Sequence, residues 1–226
     1  MKVIIYEIAR IIGLITGYPA QLLLFKRRTY YEYGEDGRRT NLFKGGKLII
    51  SNHFSMLDYV LTSFVVFPRK LNAVSGEDPY KIPFFRWGMK FFGTIKADRI
   101  TRSMRFMDEC VKVIKDKGQL CQIFPEGHNT PDGKIHEFKH SYLVIAYRAG
   151  APIVPIVTDG NYGLFKRASV IVGQEIDISG FFTPGLRTPP RAELEVANEY
   201  VFNKVLALRQ ELEDRKNKKK RKNKND

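Results

Sequence analysis

The sequence has few of the residues that build metal centres and covalent cross-links. Its 226 residues include two cysteines, Cys110 and Cys121, and four histidines. The cysteines do not form a CxxC pair and the histidines are scattered, so no zinc-binding pattern is present. Cys110 falls on the apolar side of a predicted helix and Cys121 within a predicted strand, so we expect two buried thiols. The sequence therefore predicts neither a structural metal nor a disulfide, and free thiols fit a reducing compartment.

The sequence also lacks a long uncharged apolar run. Residues 1–28 begin with a strongly apolar segment, but Glu7 and Arg10 interrupt it, and a spanning helix needs about 20 largely uncharged residues. No signal-peptide cleavage pattern follows. The Gly-Tyr-Pro stretch at 17–19 predicts a break between two short helices. We therefore expect residues 1–28 to form a helical hairpin in the membrane interface. A helix packed against the protein core is the alternative.

Acidic residues are scarce at the carboxyl terminus. The chain carries a formal net charge of +14, and residues 215–226 hold eight Lys or Arg and only one Asp. Residues 216–226 contain no apolar residue, which predicts a disordered basic tail over 215–226. Such a tail fits an anionic membrane, a nucleic acid or a purely solubilising role.

Strand and helix signals alternate between residues 29 and 214, after a Gly-rich connector at 29–46. Strand patterns lie at 48–51, 71–75, 120–124, 153–157 and 169–172. Helical patterns lie at 59–66, 82–92, 101–117, 141–149 and 192–214. The alternation predicts an α/β fold, a mixed, mainly parallel sheet covered by helices. The length is enough for one sizeable core, so we expect one domain over 29–214.

The strongest functional signal is a histidine followed five residues later by an aspartate. His53 and Asp58 come directly after the strand pattern at 48–51, with Asn52 before the histidine. A neutral imidazole can take a proton from a hydroxyl, and a carboxylate on its other nitrogen orients it and stabilises the cation. Asn52 can hold the loop through its amide. The alternative is that His53 ends a strand and Asp58 only caps the next helix.

Three further blocks follow in order. They are Gly93-Thr94-Ile95-Lys96-Ala97-Asp98-Arg99, Phe124-Pro125-Glu126-Gly127 and Ala151-Pro152-Ile153-Val154-Pro155-Ile156-Val157. Together with the N-H-x-x-x-x-D block, they resemble the four motifs of the PlsC-like glycerolipid acyltransferases, over residues 48–157. The proline in the last block predicts an edge or irregular position for its strand.

The resemblance implies a 1-acylglycerol-3-phosphate O-acyltransferase. Such an enzyme moves a fatty acyl group from acyl-carrier protein or coenzyme A to the hydroxyl of lysophosphatidate, giving phosphatidate for phospholipid synthesis. His53 would be the general base and Asp58 its orienting partner. The thioester is a co-substrate, and no cofactor or metal is implied. The implied location is the cytoplasmic face of the cell membrane, with a lysophospholipid and not a nucleic acid as partner.

The resemblance also implies a set of substrate-binding residues: Asn52, Lys96, Arg99, Glu126, Gly127 and Lys139. Arg99 matches the phosphate-binding arginine, and Lys96 adds charge beside it. Glu126 would accept a hydrogen bond from the glycerol part or hold basic groups in place, and the Gly127 backbone can approach substrate closely. The alternatives are a salt bridge for Arg99 and a simple strand-exit turn for the block containing Glu126.

The chain departs from the family pattern after the third motif. His128 and Asn129 replace a small residue and an arginine, and Ser141 replaces a glycine. Lys139, His128 or His140 would have to supply the missing phosphate contact. A different lysophospholipid or a lipid amine is therefore an alternative acceptor. A non-catalytic lipid- or nucleic-acid-binding protein on the same fold is the alternative from another class.

Overall fold

The computed structural model describes residues 2–34, 43–76, 81, 89, 93–97, 104–130, 132–163 and 166–225. Its centre is a seven-stranded sheet with the order β1-β7-β6-β2-β5-β3-β4. The strands are β1 Arg28–Tyr31, β2 Lys47–Ser51, β3 Leu71–Ser75, β4 Ile95–Lys96, β5 Leu120–Ile123, β6 Ile153–Thr158 and β7 Ser169–Val172. Strands β6, β2, β5, β3 and β4 are mutually parallel, whereas β7 is antiparallel to β6 and β1 is parallel to β7. The predicted mixed, mainly parallel sheet is confirmed.

Helices cover both faces of this sheet. They are α1 Lys2–Phe25, α2 Leu57–Val65, α3 Arg105–Lys115, α4 Ser141–Ala149 and α5 Arg191–Asn225. Neighbouring residues of a strand point to opposite faces. Ile49 accordingly packs with Leu61 of α2 and Phe25 of α1, while Ile50 packs in the cluster that contains Tyr142 of α4 and Leu208 of α5. Burial on both faces explains why the strands are continuously apolar.

Most predicted elements are present, with a few differences. The connector at 29–46 contains part of strand β1, which pairs with β7. Helix α3 begins at Arg105, and its predicted cap Thr101 lies outside the described residues, as do nearly all of the predicted helix at 82–92. Cys110 and Cys121 are both buried and free, as expected.

The amino-terminal segment is one helix, which corrects the predicted hairpin. Helix α1 runs through Pro19 without a break. A proline inside a helix removes one backbone hydrogen bond, and tertiary packing can outweigh that loss. The packing comes from both sides of the proline: Gly17 lies against Phe64 of α2, and the Phe25 ring meets Tyr162 edge-on at 5.7 Å. Among the described residues, no helix combines the length and apolar character needed to cross a bilayer.

The carboxyl-terminal segment is helical, which corrects the predicted disorder. Helix α5 continues past residue 214 to Asn225. Arg215 forms an ion pair with Glu211, and the Lys216 amine lies 2.9 Å from a carboxylate oxygen of Asp159, whose side chain is 2% exposed. These contacts fix the helix where the basic stretch begins. Lys and Arg are good helix formers, and cations at the end of a helix interact favourably with its dipole.

Pro155 lies in an interior strand, so of the two predicted positions, edge or irregular, the edge position is wrong. Strand β6 has β2 on one side and β7 on the other. The Pro155 carbonyl accepts a hydrogen bond from the Gly173 N–H at 2.9 Å, just beyond the end of β7. The proline therefore omits one ladder bond where the antiparallel pairing ends. A Cβ atom at Gly173 would lie 2.7 Å from Pro155 Cγ and 2.9 Å from Leu208 Cδ2, so glycine makes room for the ring.

Gly173→Ala should destabilise the protein by about 1–3 kcal/mol, the usual effect of adding a methyl group to a packed core. The measurement is the urea-unfolding free energy. Gly180→Ala is the matched control, because a Cβ at Gly180 would meet nothing within 4 Å. Equal unfolding free energies for both variants would contradict this account of the Pro155 site.

Candidate active site

The candidate site lies at one edge of the sheet, where parallel strands β2, β5 and β6 end. Carboxyl ends of parallel strands meet at the same edge, and the loops that leave them can build a common site. The loop after β2 carries His53 and Asp58, and the loop after β5 carries Glu126. The segment after β6 contains Tyr162. Hydrogen bonds connect all three loops.

His53 and Asp58 form a hydrogen-bonded pair. His53 Nδ1 lies 3.1 Å from Asp58 Oδ2, and the same oxygen accepts the Ser55 N–H at 2.7 Å. Asp58 lies in the first turn of α2 and its side chain is 1% exposed, whereas that of His53 is 20% exposed. A carboxylate only accepts hydrogen bonds, so the ring proton lies on Nδ1 and the lone pair on Nε2. The structure thus brings the two predicted catalytic residues together in the geometry of an oriented base.

The plane of the His53 ring is set by the loop after β5. The ring stacks on Phe124 with centroids 4.0 Å apart and planes inclined by 17°. Among the residues that the structure describes, no group is hydrogen-bonded to Nε2. Stacking on one face and Asp58 at Nδ1 leave Nε2 as the nitrogen available to a substrate hydroxyl.

Asn52 holds the loop in place, and its predicted contact with substrate stays a prediction. Its side chain is completely buried. The amide donates from Nδ2 to the Thr158 carbonyl at 3.1 Å, and its Oδ1 accepts the Thr158 N–H at 2.9 Å. Both polar atoms are thus bound to the end of strand β6. The expectation that the Asn52 amide holds the loop agrees with this geometry.

Glu126 is also turned inward, and its predicted contact with substrate stays a prediction. Its carboxylate accepts the His53 N–H at 2.9 Å through Oε1 and the His136 N–H at 2.9 Å through Oε2. The Thr130 hydroxyl lies 3.1 Å from Oε2. Glu126 is 1% exposed. Glu126 therefore connects the loop after β5 to the backbone of His53.

Gly127 and Lys139 are adjacent in the structure. The Lys139 Nζ lies 2.8 Å from where a Cβ atom at Gly127 would stand, and the Lys139 N–H donates to the Pro125 carbonyl at 2.9 Å. Lys139 is exposed. A cation therefore lies beside the loop that supports His53, while its predicted contact with a phosphate stays a prediction.

The second motif lies farther from the base. Lys96 ends strand β4, an edge strand separated from β2 by β5 and β3. Three strand spacings place it roughly 14 Å across the sheet from β2. Lys96 is exposed. Arg99 lies outside the described residues, and its predicted role stays a prediction.

Tyr162 is a site residue that the motifs did not indicate. Its hydroxyl donates to Asp58 Oδ1 and lies 2.9 Å from Thr158 Oγ1. Burial and the neighbouring Asp58 carboxylate raise the pKa of Tyr162 far above its ordinary value, so the phenol remains a donor. Asp58 thus receives hydrogen bonds from His53, Ser55 and Tyr162. The signal in the sequence that could have indicated Tyr162 is its position, shortly after the predicted strand at 153–157.

The described residues include no group of three or more His, Cys, Asp or Glu side chains arranged to hold a metal ion. His128 and His136 have ring centroids 6.3 Å apart, but His136 pairs with Asp132 at 2.8 Å. His128 Nδ1 lies 3.0 Å from the Glu126 carbonyl oxygen. These contacts account for the histidine nitrogens named here without a metal.

A partly exposed imidazole, oriented by a buried carboxylate at the edge of an α/β sheet, is an arrangement that can activate a hydroxyl group by general-base chemistry. The sequence model of the Acyltransferase family matches residues 31–159, which contain the His53–Asp58 pair and all four motif blocks. The chain belongs to this family.

Curated relatives agree with this assignment. The chain is 33% identical over 116 residues to the putative 1-acyl-sn-glycerol-3-phosphate acyltransferase acl-2 of Caenorhabditis elegans, covering 50% of this chain and 41% of the relative. It is 30% identical over 122 residues to the 1-acyl-sn-glycerol-3-phosphate acyltransferase of Pseudomonas aeruginosa, covering 51% of this chain and 45% of the relative. The chain thus spans less than half the length of these two relatives.

A solved structure has the same fold. The crystal structure of the 1-acyl-sn-glycerophosphate acyltransferase PlsC from Thermotoga maritima superimposes with a TM-score of 0.57 and 22% sequence identity. The superposition covers 82% of this chain and 73% of that one. It confirms the predicted glycerolipid acyltransferase-like architecture.

Tyr162→Phe should lower kcat for acyl transfer by up to about tenfold, because Asp58 loses one of its three donors and then orients His53 less firmly. The measurement is the rate of acyl transfer at saturating substrate, with circular dichroism to check that the variant is folded. A folded variant with the wild-type rate would contradict this role for Tyr162.

Proposed function

We propose that the protein acylates lysophosphatidate to phosphatidate, using a fatty acyl thioester as donor. The observation that carries the proposal is the His53 imidazole, which is 20% exposed and is oriented by the buried Asp58. Support also comes from membership of the Acyltransferase family and from relatives named 1-acyl-sn-glycerol-3-phosphate acyltransferases.

In the proposed reaction, the nucleophile is the free hydroxyl of the acceptor. His53 Nε2 removes its proton as the oxygen attacks the thioester carbonyl, and Asp58 stabilises the imidazolium that forms. The tetrahedral intermediate collapses, the carbon–sulfur bond breaks and the imidazolium returns the proton to the departing thiolate. An ester and a free thiol result. No protein nucleophile and no cofactor enter this scheme, and the thiol belongs to acyl-carrier protein or coenzyme A.

Recognition of the acceptor phosphate requires cations near this base. Lys139 is the candidate in the loop next to His53, with Lys96 and Arg99 as further candidates from the second motif. The exposed Asn129 stands where an arginine is expected. This substitution favours a second candidate function, the same acyl transfer to a different lysolipid with a smaller demand for positive charge.

The decisive experiment compares acyl transfer to lysophosphatidate by the wild type, His53→Ala and Asp58→Asn in detergent micelles. Both donors, acyl-carrier protein and coenzyme A thioesters, are tested. Loss of a general base reduces rates by about 10²–10⁴-fold, and we expect His53→Ala to fall within that range. Asp58→Asn should also be slow, because an amide can present a donor to Nδ1 and favour the wrong tautomer. Circular dichroism checks that the variants are folded.

The outcomes separate the parts of the proposal. A wild type that is active only on another lysolipid would keep the base and replace the acceptor. A His53→Ala variant with wild-type rates would overturn the catalytic assignment. A wild type that acylates no lysolipid or lipid amine from either donor would overturn the enzymatic function itself.

We propose that the enzyme works as a peripheral protein on the cytoplasmic face of the membrane, with α1 lying in the interface. Four isoleucines at helical spacing, Ile8, Ile11, Ile12 and Ile15, are 44–55% exposed. Met56 and Leu57, which lie between His53 and Asp58 in the chain, are also exposed. An apolar helix stripe of this kind partitions into the boundary between headgroups and acyl chains.

Replacing the four isoleucines by glutamine should release the protein from lipid vesicles in a flotation assay. Each substitution removes exposed apolar area while keeping helix propensity. Val196→Gln with Leu206→Gln is the control, because both side chains are exposed apolar groups on α5. Undiminished flotation of the isoleucine variant would contradict the interfacial role of α1, and equal release of the control would show that the effect is not specific to α1.

A further inference from the structure

The loop that carries His53 is supported by a segment that begins at the end of the family match at 31–159 and continues just beyond it. The short segment from Thr158 to Tyr162 contacts that loop at three places. Thr158 holds the Asn52 amide through both backbone groups, and Tyr162 donates to Asp58. Gly160 lies against the Phe54 ring, where a Cβ would approach Phe54 Cδ2 to 2.7 Å, and its φ of +67° also favours glycine.

Helix α5 is attached to the same segment through Arg209. The guanidinium donates from Nη1 to the Thr158 carbonyl at 2.9 Å, the same oxygen that accepts from Asn52. It also lies over the Phe54 ring at 5.6 Å from the centroid. Asn52 and Phe54 are the two neighbours of His53 in the chain. The Arg209 side chain therefore contacts Thr158, which binds Asn52, and Phe54. It is thus connected to both neighbours of His53.

The position of Arg209 is itself fixed by its surroundings. Glu213, one turn later, holds Nη2 at 3.1 Å. Lys216 pairs with Asp159, next to Thr158, at 2.9 Å. On the inner side of the helix, Leu208 and Leu212 are buried in the core. These contacts set the axial position of α5, so the guanidinium meets the loop in one defined place.

We propose that Arg209 is a positioning residue for the His53–Asp58 pair, acting through Thr158 and Phe54. This inference rests on the proposed acyl transfer. Without Arg209, the Thr158 carbonyl loses one of its two side-chain donors and keeps the Asn52 amide. The Phe54 ring loses the guanidinium that lies over one of its faces. The loop then samples positions in which Nε2 is displaced from the acceptor hydroxyl. Displacements of about 1 Å reduce rates up to about 100-fold, even when their cause is remote.

The test compares Arg209→Met, Arg209→Lys and Arg191→Met in the full chain. Methionine keeps an unbranched apolar stem but removes the donor and the charge. Lysine restores one donor to Thr158 without the planar cover over Phe54. Arg191 lies on the same helix, 87% exposed and ion-paired to Glu195, so Arg191→Met controls for loss of a helix arginine.

We expect Arg209→Met to lower kcat about tenfold or more, with KM for lysophosphatidate within about twofold of the wild type. Arg209→Lys should be intermediate, and Arg191→Met should match the wild type. A second readout needs no substrate: the NMR resonance of the His53 Nδ1 proton, which the hydrogen bond to Asp58 shifts downfield. This resonance should shift or broaden in Arg209→Met and remain unchanged in Arg191→Met.

An unchanged kcat and an unchanged Nδ1 resonance in folded Arg209→Met would overturn the inference. A change in KM alone would also overturn it, because Arg209 would then act on substrate binding. If the wild type itself fails to acylate lysophosphatidate, the proposed function fails, while the Nδ1 resonance still decides whether Arg209 positions the pair.

Discussion

A buried carboxylate is the constraint on which the site depends. Removing a charge from water is unfavourable unless hydrogen bonds replace the lost hydration. Asp58 is almost fully buried and obtains donors from His53, Ser55 and Tyr162. Two of these donors lie in its own loop, and the third comes from the segment after β6. The need to satisfy one side chain therefore holds separate parts of the chain together at the edge of the sheet.

The polar residues around Asp58 have two kinds of role: some hold the loops in place, and His53 is the proposed base. Asn52 and Glu126 are buried and bind the backbone of neighbouring loops. Neither contacts the His53 ring, so Nε2 remains the nitrogen that can serve as the proposed base. Buried polar networks of this kind restrict a loop to one conformation, because each lost contact leaves a buried polar group without a hydrogen bond. A rigid base is what acyl transfer between two bound substrates requires.

Local patterns predicted much of this arrangement. The strand β2 and the spacing of His53 and Asp58 could be recognised from neighbouring residues, since alternation and motif spacing are local properties. The amide of Asn52 was also expected to hold the loop. The inward contacts of Glu126 could not be predicted, because a motif identifies a residue without its burial. Tyr162 was missed because its partner, Asp58, is 104 positions away in the chain.

The two terminal segments show how tertiary contacts outweigh local propensity. Pro19 predicts a break, but packing on both sides keeps α1 continuous. The basic composition after residue 214 predicts disorder, yet Lys216 forms an ion pair with Asp159 and α5 continues. In each case the deciding partner lies far away in the sequence.

The edge-on contact between Phe25 and Tyr162 has a consequence for how the enzyme responds to its surroundings. Phe25 ends the helix that carries the exposed isoleucines, and Tyr162 holds the carboxylate that orients the base. Only two aromatic side chains thus separate the outer helix from the catalytic dyad. Adsorption of α1 to a lipid bilayer that shifts its last turn would reach Asp58 directly. Phe25 and Tyr162 thus form a short path of contacts between the end of α1 and Asp58.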